Sequence, residues 1–315
     1  MNKKTRKGGS NYMPIRTDLA LECCEMFAEE ISGVESIRHD DDGITVTHVK
    51  VTTLQGAAKL GKPMGNYVTI EIDEMLHENE EICERGAKAV CDELKKLIDV
   101  SKKESVLVVG LGNRYITPDS IGPKAVNKLV VTRHITSDGN NGYNFDIRSV
   151  SAVAPGVLGL TGIETSEMIK AIVQRIKPSL IIAIDALASR KLSRLGTTVQ
   201  ICDTGISPGS GVGNNRKELT KSTLGVPVIA IGVPMVVDAA TMTIDAIESL
   251  SGYMDKNFGG CMRQFEQMLS DKNHSFINEV LSGNKENMVV TPNDVDIISE
   301  QASEIIAEGI NHALH

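Results

Sequence analysis

Two rhythms of apolar and polar positions divide the 315-residue chain. In the first, the pattern follows one face of a helix or alternates along a strand. TDLALECCEMFAEEI, starting at Thr17, repeats its apolar residues at helical spacing, with Thr17 or Asp18 at hand as an N-cap. DGITVTHVKVT (Asp42 to Thr52) and NYVTIEID (Asn66 to Asp73) alternate and are rich in β-branched residues. They predict two strands, antiparallel neighbours at a sheet edge. EICERGAKAVCDELKKLID (Glu81 to Asp99) carries its Ile, Val, Ala and Leu on one stripe and predicts an amphipathic helix.

The second rhythm is a series of short runs without alternation: VLVV at 106–109, VSAV at 150–153, LIIAI at 180–184, TVQIC at 198–202 and VIAIGV at 228–233. Helical patterns separate several of them, notably TSEMIKAIVQRIK from Thr165 to Lys177. A strand that lacks alternation is buried on both faces, which a sheet covered by helices on both sides requires. The fold class expected is therefore α/β, a mostly parallel or mixed sheet with helices on both faces, in one elaborated domain. TMTIDAIESLSGYM after Asp238 predicts a helix, 257–292 is mixed and polar with poor periodicity, and Asn293 to Leu314 predicts a final amphipathic helix. Residues 1–14, polar and basic with Gly and Ser, read as a disordered extension.

Composition narrows the function classes. Apolar residues make up 41% and charged residues 23%, ordinary for a globular protein, while aromatics reach only 3% with no Trp. Base stacking on aromatic platforms is thereby disfavoured, and a net charge of −8 argues against direct contact with nucleic acid. The six cysteines show no CxxC and no metal spacing, and read as free thiols of a reducing cytoplasm. No run approaches the ~18 apolar residues of a membrane span, and the basic start lacks the apolar stretch of a signal peptide.

Candidate chemistry gathers where the strands end, because in open α/β sheets ligands bind beyond the carboxyl ends. VLVV is followed by a loop bearing Asp119, LIIAI by Asp185, TVQIC by Asp203, and VIAIGVPMVV by Asp238. If all these strands are parallel, four carboxylates reach one rim, although a strand-end Asp can equally cap the next helix. Two decoys fall away. Gly110-Leu-Gly112-Asn-Arg-Tyr115 opens like a dinucleotide fingerprint but has Tyr at the third glycine position. Gly205-Ile-Ser207-Pro-Gly209 matches G-x-S-x-G, yet the residue after the serine is Pro208, with no N–H for an oxyanion hole. Gly205 to Gly213 (GISPGSGVG) reads better as a mobile loop or lid. His39 and His48 stand far in sequence from the carboxylates, so the metal alternative would be an all-carboxylate site for a hard ion. The remaining chemistry is a pair of aspartates sharing one proton, one acting as base toward water while the other polarises a carbonyl. A metal-assisted hydrolase using the same carboxylates, and a non-enzymatic binding module, are the alternatives.

The segments Gly110–Lys124 (GLGNRYITPDSIGPK), Val153–Ser166, Ile182–Lys191, Gln200–Lys217 and Val228–Met242, with Ile15–Glu22 (IRTDLALE), together resemble the spore germination protease family. The resemblance implies an atypical aspartic endopeptidase with a fold similar to hydrogenase maturation proteases, no cofactor, and assembly into homotetramers. It implies synthesis as a zymogen in the forespore and action in the spore core on the small acid-soluble proteins that coat spore DNA. The family's catalytic aspartates map onto Asp119 of the T-P-D motif and Asp185 of the I-D-A-L motif. Its preference for an acidic residue, then a hydrophobic one, then alanine is met by Asp18-Leu19-Ala20, which implies self-processing between Asp18 and Leu19. Residues 1–18 would then be a propeptide and 19–315 the peptidase domain. Its triggers are dipicolinate accumulation and acidification.

Overall fold

The apolar runs line up side by side because nothing on either of their faces tolerates water. The computed structural model describes residues 16–72, 80–137, 147–209, 217–258 and 288–315. In chain order the elements are α1 (Ala20–Glu25), β1 (Val34–Asp41), β2 (Ile44–Val51), α2 (Leu54–Leu60), β3 (Gly65–Ile72), α3 (Glu80–Leu97) and β4 (Val106–Gly110). A 3₁₀ turn at Thr117–Asp119 leads to α4 (Ile121–Asn127), α5 (Arg133–Ser137), β5 (Val150–Val153), α6 (Leu158–Thr161), α7 (Thr165–Ile176) and β6 (Leu180–Ser189). Then follow β7 (Thr198–Cys202), α8 (Lys221–Leu224), β8 (Val228–Asp238), α9 (Ala239–Phe258), β9 (Val289–Val290) and α10 (Val295–Leu314).

The strands form one mixed sheet in the order β1-β2-β3-β7-β8-β6-β4-β5, with β9 beside the end of β8. β8, β6, β4 and β5 run parallel, and the β1-β2-β3-β7 half is antiparallel. On one face α3, α4 and α10 bring Val90, Leu94, Ile121, Ile305 and Ile310 against Val108, Ile182, Ile184 and Ile231. On the other, Ile169 and Val173 of α7 and Leu224 of α8 cover Leu107, Val109, Ile181 and Ala183. Consecutive residues of β6 thus enter different cores, which is why LIIAI does not alternate. Each such Ile or Val contributes roughly 1.5–3 kcal/mol by burial. α1 and α2 cover the antiparallel half, with Ala20, Cys23 and Leu60 on Val49, Val51 and Tyr67.

The fold class is the one expected, and β2 with β3 are antiparallel neighbours as their alternation implied. Three details differ. β1, VESIRHDD, has seven exposed residues out of eight, so no apolar face marks it in the sequence; its charges suit an edge strand. The helix expected from Thr17 begins only at Ala20 and ends at Glu25, because the backbone at Asp18 is taken up by another strand. β7 is antiparallel to β8, not parallel. The link from β6 to β7 holds only a short 3₁₀ turn at Leu192–Arg194, and a parallel return needs a dozen or more residues. The region expected to be irregular, 257–292, lies mostly outside the described residues. Among the described residues no helix is long and apolar enough to cross a membrane.

Candidate active site

β4 and β6 are adjacent and parallel, and the loop after β4 is tied to β6 where Leu111 N–H donates to the Ile184 carbonyl at 2.7 Å. That carbonyl belongs to the residue before Asp185. The loop then turns back on itself. Gly112 has φ +106°, and a Cβ there would lie 2.1 Å from the Asp119 carbonyl oxygen and 2.9 Å from its Oδ1. Only glycine allows this approach. Asn113 N–H donates to Asp119 Oδ2 at 2.8 Å, and the 3₁₀ turn fixes the residue's backbone through Asp119 N–H to the Ile116 carbonyl. The glycines of this loop therefore make room for a carboxylate, not for a phosphate.

Asp185 stands on β6, 5% exposed, with Oδ1 accepting from Ala186 N–H at 3.0 Å. Asp119 and Asp185 line the same cavity of about 450 Å³, with Gly112, Pro118 and Val157 in its wall. Asp185 also lines an adjoining cavity of about 540 Å³ with Arg16, Lys62 and Gln200. Asp18 borders both cavities.

The segment carrying Asp18 is held by residues from all over the chain. Asp18 N–H donates to the Ala188 carbonyl at 2.8 Å, and Ala188 N–H returns to Asp18 Oδ2 at 2.9 Å, so Asp18 pairs with the end of β6. Its carbonyl oxygen accepts from Lys62 Nζ at 2.8 Å and Gln200 Nε2 at 3.0 Å. Leu19 and Ala20 that follow are fully buried. Before it, Arg16 forms an ion pair with Asp238 at 3.4 Å.

The four strand-end carboxylates do not share one rim. β7 runs the other way, so Asp203 is carried toward the N-terminal ends of the parallel strands, where it accepts from Asn66 N–H at 2.8 Å and Asn66 Nδ2 at 2.6 Å. Asp238 does end β8, but its Oδ1 accepts from Thr241 N–H at 3.0 Å, the bond of a helix cap. Asp119 and Asp185 remain.

Ser207 and Pro208 of the G-x-S-x-G decoy form cavity wall, and residues 210–213 of the expected lid lie outside the described residues. His48 faces Glu93 at 3.5 Å on β2, remote from both cavities, and among the described residues no group of three His, Cys, Asp or Glu side chains converges on a common point. Burial pushes the thiols of Cys23 and Cys202 above the ordinary cysteine value, which disfavours the nucleophilic thiolate.

Two residues at the site escaped the sequence reading. Gln200 is the one amide inside TVQIC, and a polar side chain in a fully buried strand must find partners. That was the available signal. Lys62, in a loop between α2 and β3, offered none.

Comparison with known proteins shows the family. Residues 17–271 match the family model described as "Germination protease" (peptidase A25). The germination protease of Caldanaerobacter subterraneus subsp. tengcongensis is 48% identical over 304 residues, covering 95% of this chain and 94% of its own. That of Clostridium acetobutylicum is 48% identical with 95% of each chain covered, and that of Bacillus subtilis 40% identical with 99% of this chain and 96% of its own. Among solved structures, a [NiFe] hydrogenase maturation protease from Thermococcus kodakarensis superposes with a TM-score of 0.30 and 16% identity, over 52% of this chain and 99% of its own. At that score the likeness carries no argument. The sequence match, by contrast, runs through β4, β6, β7 and β8 and the loops that bear Asp119 and Asp185, and on it the chain belongs to the germination protease family.

Proposed function

We propose that this protease is an aspartate-dependent endopeptidase, made as a zymogen that cuts itself between Asp18 and Leu19. Once matured, it degrades the small acid-soluble proteins of the germinating spore, working in the spore core as a homotetramer. The observation that carries the reading is that three aspartates from distant parts of the chain line one cavity. Asp119 and Asp185 border one cavity, and so does Asp18, which belongs to the Asp-Leu-Ala sequence the family would cut.

The chemistry needs only water. One aspartate of the pair takes a proton from a water molecule as its oxygen bonds to the Asp18 carbonyl carbon. The other, protonated, gives its proton to the Leu19 nitrogen as the C–N bond breaks. The products are a carboxylic acid at Asp18, whose proton passes to the Leu19 amine to leave a carboxylate and an ammonium, and the pair ends with one proton, as it began. Falling pH favours the singly protonated pair over the doubly ionised one, so acidification is a fitting trigger for maturation. No covalent intermediate is required, in keeping with a Ser207 followed by proline and cysteines whose thiols are raised by burial.

Asp119→Asn and Asp185→Asn test the reading. Each is expected to slow both self-processing and cleavage of a short peptide containing Glu-Ile-Ala by at least ~10²–10⁴-fold, the usual worth of a general acid or base. Circular dichroism and thermal melting should stay those of the parent. Near-normal turnover in either variant would remove that residue from the mechanism.

A further inference from the structure

The carbonyl oxygen of Asp18 carries two side-chain hydrogen bonds that the aspartate pair does not supply: Lys62 Nζ at 2.8 Å and Gln200 Nε2 at 3.0 Å. Gln200 also reaches past the next residue, where its Oε1 accepts from Ala20 N–H at 2.7 Å. Its carboxamide thus spans the Asp18–Leu19 bond as the peptide group of a neighbouring strand would, with a donor before the bond and an acceptor after it. The main chain between these contacts is fixed further by Leu19 N–H to Thr17 Oγ1 at 3.0 Å.

The sheet explains how Gln200 arrives there. Asp185 on β6 is in register with Gly232 on β8, and Gly232 with Gln200 on β7. Residues in register point to the same face, so Asp185 and Gln200 rise from one face, two strand spacings or roughly 10 Å apart. Between them Gly232 contributes no side chain. A Cβ there would lie 2.5 Å from the Leu187 side chain, the residue before Ala188, which pairs with Asp18.

We infer that Lys62 and Gln200 are the oxyanion-stabilising donors of the self-processing step. When water adds to the Asp18 carbonyl carbon, the π electron pair moves onto the oxygen that these two groups already hold. It returns to re-form the carbonyl as the bond to Leu19 breaks. A cation and an amide are aimed beforehand at the atom where negative charge develops, so no reorganisation is needed as it forms. This takes over the polarising task that the sequence reading gave to the protonated aspartate. It leaves that aspartate's proton for the departing Leu19 nitrogen. The inference rests on the aspartate reading above.

The test is the first-order rate at which full-length protein releases its N-terminal segment at acid pH, followed by mass spectrometry. Alongside it, hydrogen exchange is measured at the Asp18 and Ala20 amides of the uncut protein. Lys62→Met and Gln200→Leu are each expected to slow release by ~10²–10³-fold, the cost of one lost oxyanion donor. Lys62→Arg, which keeps a cationic donor, should recover part of the rate. In Lys62→Met the Asp18 and Ala20 amides should stay as protected as in the parent, because Ala188 and Gln200 still hold them. Release by Lys62→Met at the parental rate would overturn the inference. So would slowing accompanied by loss of protection at both amides, since Lys62 would then only dock the segment. Lys62 lies on a partly exposed loop, so its variants decide the matter without depending on the folding of Gln200→Leu. Parental-rate processing by Asp119→Asn and Asp185→Asn would be a different failure, that of the aspartate reading itself.

Discussion

A Cβ added at Gly122 would lie 2.3 Å from the Leu111 carbonyl oxygen and 2.7 Å from that of Ile184. Both contacts are with backbone, so no side chain can swing aside. Gly122 opens α4 directly against the junction of β4 and β6, three residues after Asp119 and against the residue before Asp185. Gly122→Ala is therefore expected to push α4 outward and carry Asp119 with it. Overpacking of this kind costs about 1–3 kcal/mol, and a displacement near 1 Å at a reacting group costs about 10²-fold in rate. Thermal melting and the self-processing rate would read the two effects separately. Retention of both parental values would mean that α4 can shift without moving the carboxylate. At this scale the sequence was partly legible. Asp185 stood out at the end of an apolar run and Asp119 in the loop after one, whereas the need for glycine at 122 depends on a strand 62 positions away in the chain.

At the scale of elements, α1 is held by charge as much as by packing. Glu22 is 1% exposed and accepts from the backbone N–H groups of Arg190 at 2.6 Å and Lys191 at 3.0 Å, and from Arg194 at 3.3 Å. Thr17 donates its hydroxyl to the same carboxylate. Arg194 also forks onto Glu25, at 2.7 and 2.9 Å, and reaches Glu71 at 2.9 Å. Burial alone would raise the Glu25 carboxyl, but hydrogen bonds from Arg194 and Lys191 outweigh it and bring it down from 4.5 to about 2. A group depressed on folding contributes stability that is present above its unfolded value and is lost as pH falls through the folded one. The stability difference between the parent and Glu25→Gln is thus expected to be constant above about pH 5 and to vanish toward about pH 2. It should amount to about 1 kcal/mol, because a third of the side chain faces solvent. Chemical denaturation at a series of pH values measures it, and a difference still at its full value at pH 2 would refute the assignment. Mild acidification, on this account, leaves the anchoring of α1 intact. None of this network was visible in the helical spacing of TDLALECCEMFAEEI, since a buried Glu22 looks the same in sequence as a solvated one.

For the whole molecule, the segment 16–20 is the point where the fold closes on itself. Asp18 touches Lys62, Ala188 and Gln200, while Arg16 reaches Asp238. Leu19 and Ala20 are each 0% exposed, so the side of the Asp18–Leu19 bond that the proposed cut would leave with the enzyme is already core. Protein matured at acid pH is expected to begin at Leu19, by mass spectrometry of the intact chain. Any other terminus would contradict the proposed processing site.

What the sequence determined by itself was local in origin. Period-two alternation marked β2 and β3, nearly all-apolar runs without alternation marked β4 through β8, and helical stripes marked α3, α7 and α10, because side-chain burial imprints a period on neighbouring positions. The long motifs around Asp119 and Asp185 pointed to the family for the same reason: they are contiguous. Tertiary structure alone decided direction and company. It turned β7 antiparallel and removed Asp203 from the site, assigned Asp238 to a helix cap, and set Lys62 and Gln200 on one carbonyl oxygen. Those outcomes depend on which strands become neighbours across the sheet, and contacts between residues 44 and 182 positions apart leave no periodic trace along the chain.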